Sequence, residues 1–166
     1  MSPFALPVIL DNCCISIFFT AGVLQTILTA WPAGTFIIPQ RVLDEAAAWK
    51  QHGQEVIGIC KDLLDSGMIR VVEIDEDSEA EIEAYMKLRL KGPVLGEGES
   101  ETIAIAYNRG YIAATDDGLA REYCSELFPS VKVVTTAHIL NMGLADTLIT
   151  QGKINDIWRR IRENNA

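Results

Sequence analysis

The sequence predicts an α/β fold: a three-layer α/β/α arrangement around a central parallel sheet of about five strands. Two observations carry that reading. Residues 6–10, 35–38, 68–74, 111–115 and 131–135 are short runs, apolar or β-branched almost throughout. Strands buried on both faces have this composition. Helical patterns separate the runs, and strand alternating with helix means parallel neighbours joined by right-handed crossovers.

The helices can be justified in chain order. Residues 15–30 read as one helix, apolar nearly all round through Ile17, Phe18, Phe19, Val23, Leu24, Ile27 and Leu28. Residues 40–66 form one long helix or two short ones, bent near Gly53. Residues 77–91 are charged, with Ile82, Tyr85 and Leu88 at helical spacing. Residues 99–108 run into Arg109-Gly110, a plain C-terminal stop. Helices over 118–127 and 136–148 follow. Residues 153–165 place Ile154, Ile157, Trp158 and Ile161 on one face of an amphipathic tail. This gives one domain over residues 1–150 and a C-terminal helical tail, 151–166, packed on or near it.

Bulk composition narrows the function. A chain of 166 residues suits one domain with a proper core. Its net charge of −9 argues against a generally basic nucleic-acid binder. It does not argue against a nuclease, because acidic metal ligands inflate the count. The 49% hydrophobic content and mean hydropathy of +0.16 are high for a soluble chain. Cys13, Cys14, Cys60 and Cys124 show no Cys-x-x-Cys pair, so reduced thiols and a cytoplasmic location are expected. Residues 1–10 lack a signal peptide's basic start and cleavage site. No apolar run is of membrane-spanning length, so no membrane partner is expected.

Four acidic spots carry the chemistry. Asp11 follows Val8-Ile9-Leu10, where a carboxylate would face the crevice above the sheet; it would also serve as a helix N-cap, as would Asn12. Glu45 flanks the apolar stripe Val42, Ala46 and Trp49, whereas Asp44 points further out. Glu97, Glu99 and Glu101 crowd the start of a helix whose next residues, Ile103 to Ala106, are apolar. The helix dipole explains one or two of these acids, and Glu99 and Glu101 cannot point the same way. Asp116 and Asp117 follow Ala113-Ala114-Thr115; Asp117 fits an N-cap, which leaves Asp116 the better ligand candidate. Crowded carboxylates repel unless a hard divalent cation neutralises them, so the set reads as a Mg²⁺ or Mn²⁺ site for phosphate chemistry. Such an ion activates water and steadies the leaving oxygen of a phosphodiester.

These motifs resemble the PIN-domain nucleases. The resemblance rests on Asp11 after the first strand and on Ile38-Pro39 followed by Val42-x-x-Glu45. It rests also on Gly98-Glu99-x-Glu101-x-Ile103-Ala104 and on Thr115-Asp116-Asp117-Gly118-Leu119-Ala120-Arg121. It covers about residues 6–146 and implies a PIN-like fold and a Mg²⁺- or Mn²⁺-dependent endoribonuclease, a hydrolase leaving 5′-phosphate and 3′-hydroxyl ends. Many such proteins are toxins of toxin–antitoxin pairs, so an RNA substrate and an antitoxin protein are implied partners. Carried over, Asp11, Glu45, Glu101 and Asp116 are the catalytic, metal-binding acids, with Glu99 and Asp117 as close seconds and Asn12, Thr115 and Arg121 in support. One departure stands out: the family commonly has Ser or Thr shortly after the first Asp, and this chain has Asn12-Cys13-Cys14.

Two rival functions follow from the same residues. A catalytically inactive PIN-fold binding module would tolerate that departure. A Mg²⁺-dependent phosphatase with Asp11 as nucleophile would want a second Asp two residues on, where Cys13 stands. The apolar surface of residues 15–30 exceeds what one sheet face can cover, which predicts a homodimer with this helix near the interface, or an antitoxin segment in the same groove.

Overall fold

A computed structural model describes residues 4–164. The elements run β1 (Val8–Leu10), α1 (Asn12–Thr20), α2 (Leu24–Thr29), β2 (Phe36–Pro39), α3 (Gln40–Ala47), α4 (Gly53–Asp65) and β3 (Arg70–Val72). They continue with α5 (Glu79–Leu90), α6 (Glu97–Arg109), β4 (Ile112–Ala114), α7 (Gly118–Leu127), β5 (Val133–Val134), α8 (Thr136–Ala145) and α9 (Gln151–Asn164). The five strands form one sheet in the order β3-β2-β1-β4-β5, and every pairing is parallel. The predicted three-layer α/β/α fold is the observed one.

Four of the five strands are shorter than their apolar runs; β2 keeps the length of its run, shifted by one residue. Alternation along the strands divides the core. Val8 and Leu10 face one side with Phe36, Ile38, Ile112 and Ala114. Ile9, Ile37 and Ala113 face the other, under Ile105 and Ala106 of α6. The first side is covered by α1, α2, α3, α4, α8 and α9, and its cluster includes Phe18, Leu28, Val42, Val56, Ile139 and Ile157. The second side is extended by Ala84 and Leu88 of α5 and Tyr123 of α7.

The strand order fixes where a site can form. The chain leaves β1 to build β2 and β3 on one side, then crosses over to build β4 and β5 on the other. The crevice at such a switch point opens above the carboxyl ends of β1 and β4. Crossover helices run antiparallel to the strands, so the N-terminus of α6 also lies at this edge.

The first helix departs from the prediction. Residues 15–30 are two helices, broken at Gly22, whose φ of 72° lies in the left-handed region that glycine adopts without strain. The break folds α2 back, and Ile15, Phe18, Val23, Leu24, Ile27 and Leu28 are all buried within the chain. The protein itself covers most of this apolar surface, while Ile17 and Phe19 stay partly exposed and Phe19 lines a surface groove with Ser16, Thr20, Trp49 and His52. Residues 40–66 are likewise two helices, with His52 left-handed at the joint (φ 64°).

The tail helix α9 is part of this packing. Ile154 and Ile157 are buried in the principal core, and the Arg160 guanidinium donates to the Ala21 carbonyl at 3.2 Å. Ile157→Ala should therefore lower the free energy of unfolding by about 2–4 kcal/mol, the range for emptying a buried aliphatic site. Urea denaturation measures this, and a loss near zero would mean that α9 docks only loosely.

Candidate active site at the switch point

Asp11 ends β1 and caps α1. Its own N–H donates to the Ala114 carbonyl of β4 at 3.2 Å, which locks it against the neighbouring strand. Its side chain is completely buried. Oδ1 accepts from the Cys14 N–H at 3.3 Å and from the Cys13 thiol at 2.7 Å, but Oδ2 is buried without any hydrogen-bond partner. The adjacent Asn12 Oδ1 is buried and unpartnered as well. Burial, then the nearby Cys13, push the Asp11 carboxyl well above the ordinary carboxylate range. A buried carboxylate oxygen with nothing to bind is costly unless a cation or donor meets it.

The other acids arrive from α3, α6 and the β4–α7 turn. Glu45 reaches from α3 to α6, where its Oε1 accepts the Gly98 N–H at 2.9 Å. The fit depends on glycine: a Cβ at residue 98 would lie 2.6 Å from Glu45 Oε2. Glu99 reaches back to the start of its own helix, its Oε2 accepting the Gly96 N–H at 2.8 Å. Glu99 is half-buried, and its pKa is raised, first by burial and then by the charges of Asp117, Asp11 and Glu45. Asp117, Asp11 and Glu45 are thus near enough for their charges to act on Glu99. Asp117 caps α7 through the Ala120 N–H (2.8 Å), and its own N–H donates to Thr115 Oγ1 (3.1 Å).

Two of the expected ligands are otherwise engaged. Glu101 is buried on the opposite flank of α6, where its Oε1 accepts the Ile74 N–H at 2.9 Å and its charged surroundings are led by Arg41, Glu73 and Asp44. It ties down the loop after β3, beside the Glu81–Arg109 ion pair that holds the same loop at Glu73 and Asp75. Asp116 gives both oxygens to Thr136, one to its N–H at 2.8 Å and one to its hydroxyl. It thereby joins the β4 turn to the start of α8. Arg121 is exposed in α7 and Thr115 is buried beside Cys13.

The sequence reading underweighted three residues. Gly98 makes room for Glu45, Thr136 occupies Asp116, and Cys13 stands at the centre. Cys13 Sγ donates to Asp11, accepts the Asp116 N–H at 3.2 Å and lies 3.7 Å from Thr115 Oγ1. Its thiol is lowered to about 6, chiefly by its hydrogen bond with Cys14, and the Cys14 thiol is raised in return. The glycine next to an acid at a helix start was a visible signal; the other two contacts join residues far apart in sequence.

Asp11, with one buried and unpartnered oxygen, is a donor of the kind a hard divalent cation takes, and the ligand atoms that converge with it to within 4.8 Å are the thiols of Cys13 and Cys14. Residues 7–165 match the family model of the PIN domain. The chain belongs to that family, whose members are generally nucleases. No curated protein matches it.

Two outcomes follow. Asp11 and Glu99 hold their protons more tightly folded than unfolded, so their burial costs little below the unfolded pKa and more as pH rises toward the raised folded values. In chelator-treated protein, Asp11→Asn should match wild type in melting temperature near about pH 4 and exceed it near about pH 7. A pH-independent offset would show that ionisation of Asp11 is not what its burial opposes. Gly98→Ala should displace the Glu45 carboxylate and weaken Mn²⁺ binding by roughly tenfold or more, as loss of positioning around a metal does. Calorimetric titration reads this, with circular dichroism confirming that the fold persists.

Proposed function

We propose that the protein is a Mg²⁺- or Mn²⁺-dependent endoribonuclease hydrolysing RNA phosphodiesters, with Asp11, Glu45, Glu99 and Asp117 holding the cation. The observation that carries this reading is the buried Asp11 carboxylate with an unpartnered oxygen at the sheet's switch point, whose charge, with those of Asp117 and Glu45, adds to burial in raising the Glu99 pKa. When bound, the cation relieves that repulsion and supplies activated water for in-line attack at phosphorus. The chain's own contribution is placement. β1 and α1 fix Asp11, the Gly96 N–H fixes Glu99, the N-cap bond to the Ala120 N–H fixes Asp117, and Gly98 fixes Glu45. Asp116 and Thr115 act as positioning residues through Thr136, Cys13 and the Asp117 N–H. The exposed guanidinium of Arg121 is available to RNA phosphates.

The role of toxin in a toxin–antitoxin pair rests on the family resemblance, as do an antitoxin partner and a homodimer. Most of the α1–α2 apolar surface is buried within the chain, with Ile17 and Phe19 left partly exposed. No helix among the described residues is long and apolar enough to cross a membrane. One observation favours an inactive binding module as a second reading: the Cys13 thiol occupies the Asp11 oxygen that a ligand would take.

Cleavage of a structured RNA with Mn²⁺ or Mg²⁺ decides among these. Wild type should cut and EDTA should stop it. Glu99→Gln should reduce the rate to background. Glu101→Gln, which keeps an oxygen for the Ile74 N–H, should retain most of it. Loss in Glu101→Gln with retention in Glu99→Gln would exchange the two assignments. Metal binding without cleavage of any RNA would favour the binding module.

A further inference from the structure

The site holds more than acids. The ligand atoms of Asp11, Cys13 and Cys14 lie within 4.8 Å of one another. Asp11 Oδ2 is an independent sign that something is meant to meet this group, since it is fully buried and unpartnered. Cys13 is only partly buried, which leaves the group a way in from solvent.

Resting on the metal-site reading above, we infer that Cys13, backed by Cys14, is a ligand alongside Asp11, so that the site takes a thiophilic divalent cation of the Zn²⁺ class in preference to Mg²⁺. Bond lengths of about 2.0 Å to oxygen and about 2.3 Å to sulfur require donors roughly 3.3–3.8 Å apart in a tetrahedral site. The observed spacing meets this after small side-chain adjustment. Thiolate sulfur selects Zn²⁺, whereas Mg²⁺ demands an oxygen octahedron and gains nothing from sulfur. The Asp116 N–H on Cys13 Sγ is an outer partner of the kind that orients a metal ligand. On binding, the sulfur lone pair bonds the cation and the S–H proton passes to solvent, with no change of oxidation state. The remaining positions fall to water or to the neighbouring acids. A Zn²⁺-class ion would thus compete with Mg²⁺ for Asp11.

Co²⁺ titration of the purified chain tests this by absorption. Wild type should show an intense sulfur-to-cobalt charge-transfer band. Cys13→Ser should lose it and bind Zn²⁺ more weakly by at least the roughly 10- to 100-fold that even an outer partner of a ligand is worth, with Mn²⁺ affinity little changed. Cys14→Ser should weaken the band; an unchanged band would remove Cys14 from the set. Binding of Co²⁺ that Asp11→Asn abolishes, but that shows no thiolate band or a band surviving in Cys13→Ser, would overturn the inference and leave the oxygen-ligated site standing. Mn²⁺ and Co²⁺ binding unaffected by Asp11→Asn would overturn both. A measurement on unmodified protein guards against misfolded variants: Cd²⁺, but not Mg²⁺, should shield Cys13 from iodoacetamide. Equal labelling with and without Cd²⁺ would also overturn it.

Discussion

The burial of one carboxylate constrains everything around it. Asp11 sits at the carboxyl end of the central strand, fully enclosed, with one oxygen satisfied and the other facing nothing. A group in that state is unfavourable in the free protein. It persists because the strand order gives it no alternative: β1 is flanked on both sides, and its backbone is locked to β4 at Ala114. The sheet imposes the cost and the site exploits it. The same enclosure that raises the Asp11 pKa also lowers the local dielectric, so any cation that enters is held more strongly than it would be at the surface.

Around that carboxylate, polar groups divide into those left available and those committed to holding the frame. The N-terminal turn of α6 makes the division visible. Glu99 and Glu101 are two residues apart, so the helix turns them to different flanks. Glu99 is held near the other acids by the Gly96 N–H. Glu101 fastens the loop after β3, which the Glu81–Arg109 pair also grips. Asp116 and Asp117 divide in the same way, one spanning to α8 and the other capping α7. Every acid drawn off to the frame shortens the set that a cation meets, and it also makes the remaining ones stiffer.

Cys13 links the elements of the site. It touches Asp11, Asp116 and Thr115 at once, so the first strand and the fourth meet through a sulfur atom. A thiol is a weaker hydrogen-bond partner than a hydroxyl and a better ligand for soft metals. A substitution at one position therefore bears on both the rigidity of the site and its metal preference.

The sequence by itself determined the fold class, because buried strands and crossover helices are patterned locally, in hydrophobic period and in runs of β-branched residues. It also determined which residue types could form a site, since Asp11, Glu99, Asp116 and Asp117 stand beside strand ends or helix starts, with Glu45 and Glu101 further along their helices. Gly22 lies inside a stretch that reads as one apolar helix, and only the folded chain, with α8 and α9 packed on α1 from more than a hundred residues later, shows that it breaks there and folds back. Only the tertiary structure decided which carboxylates face one another. Glu101 is taken by Ile74 and Asp116 by Thr136, and both partners come from elements remote in sequence whose positions follow from strand order and helix packing. A local pattern tells where a side chain leaves the backbone; the atom it meets is fixed by the rest of the chain.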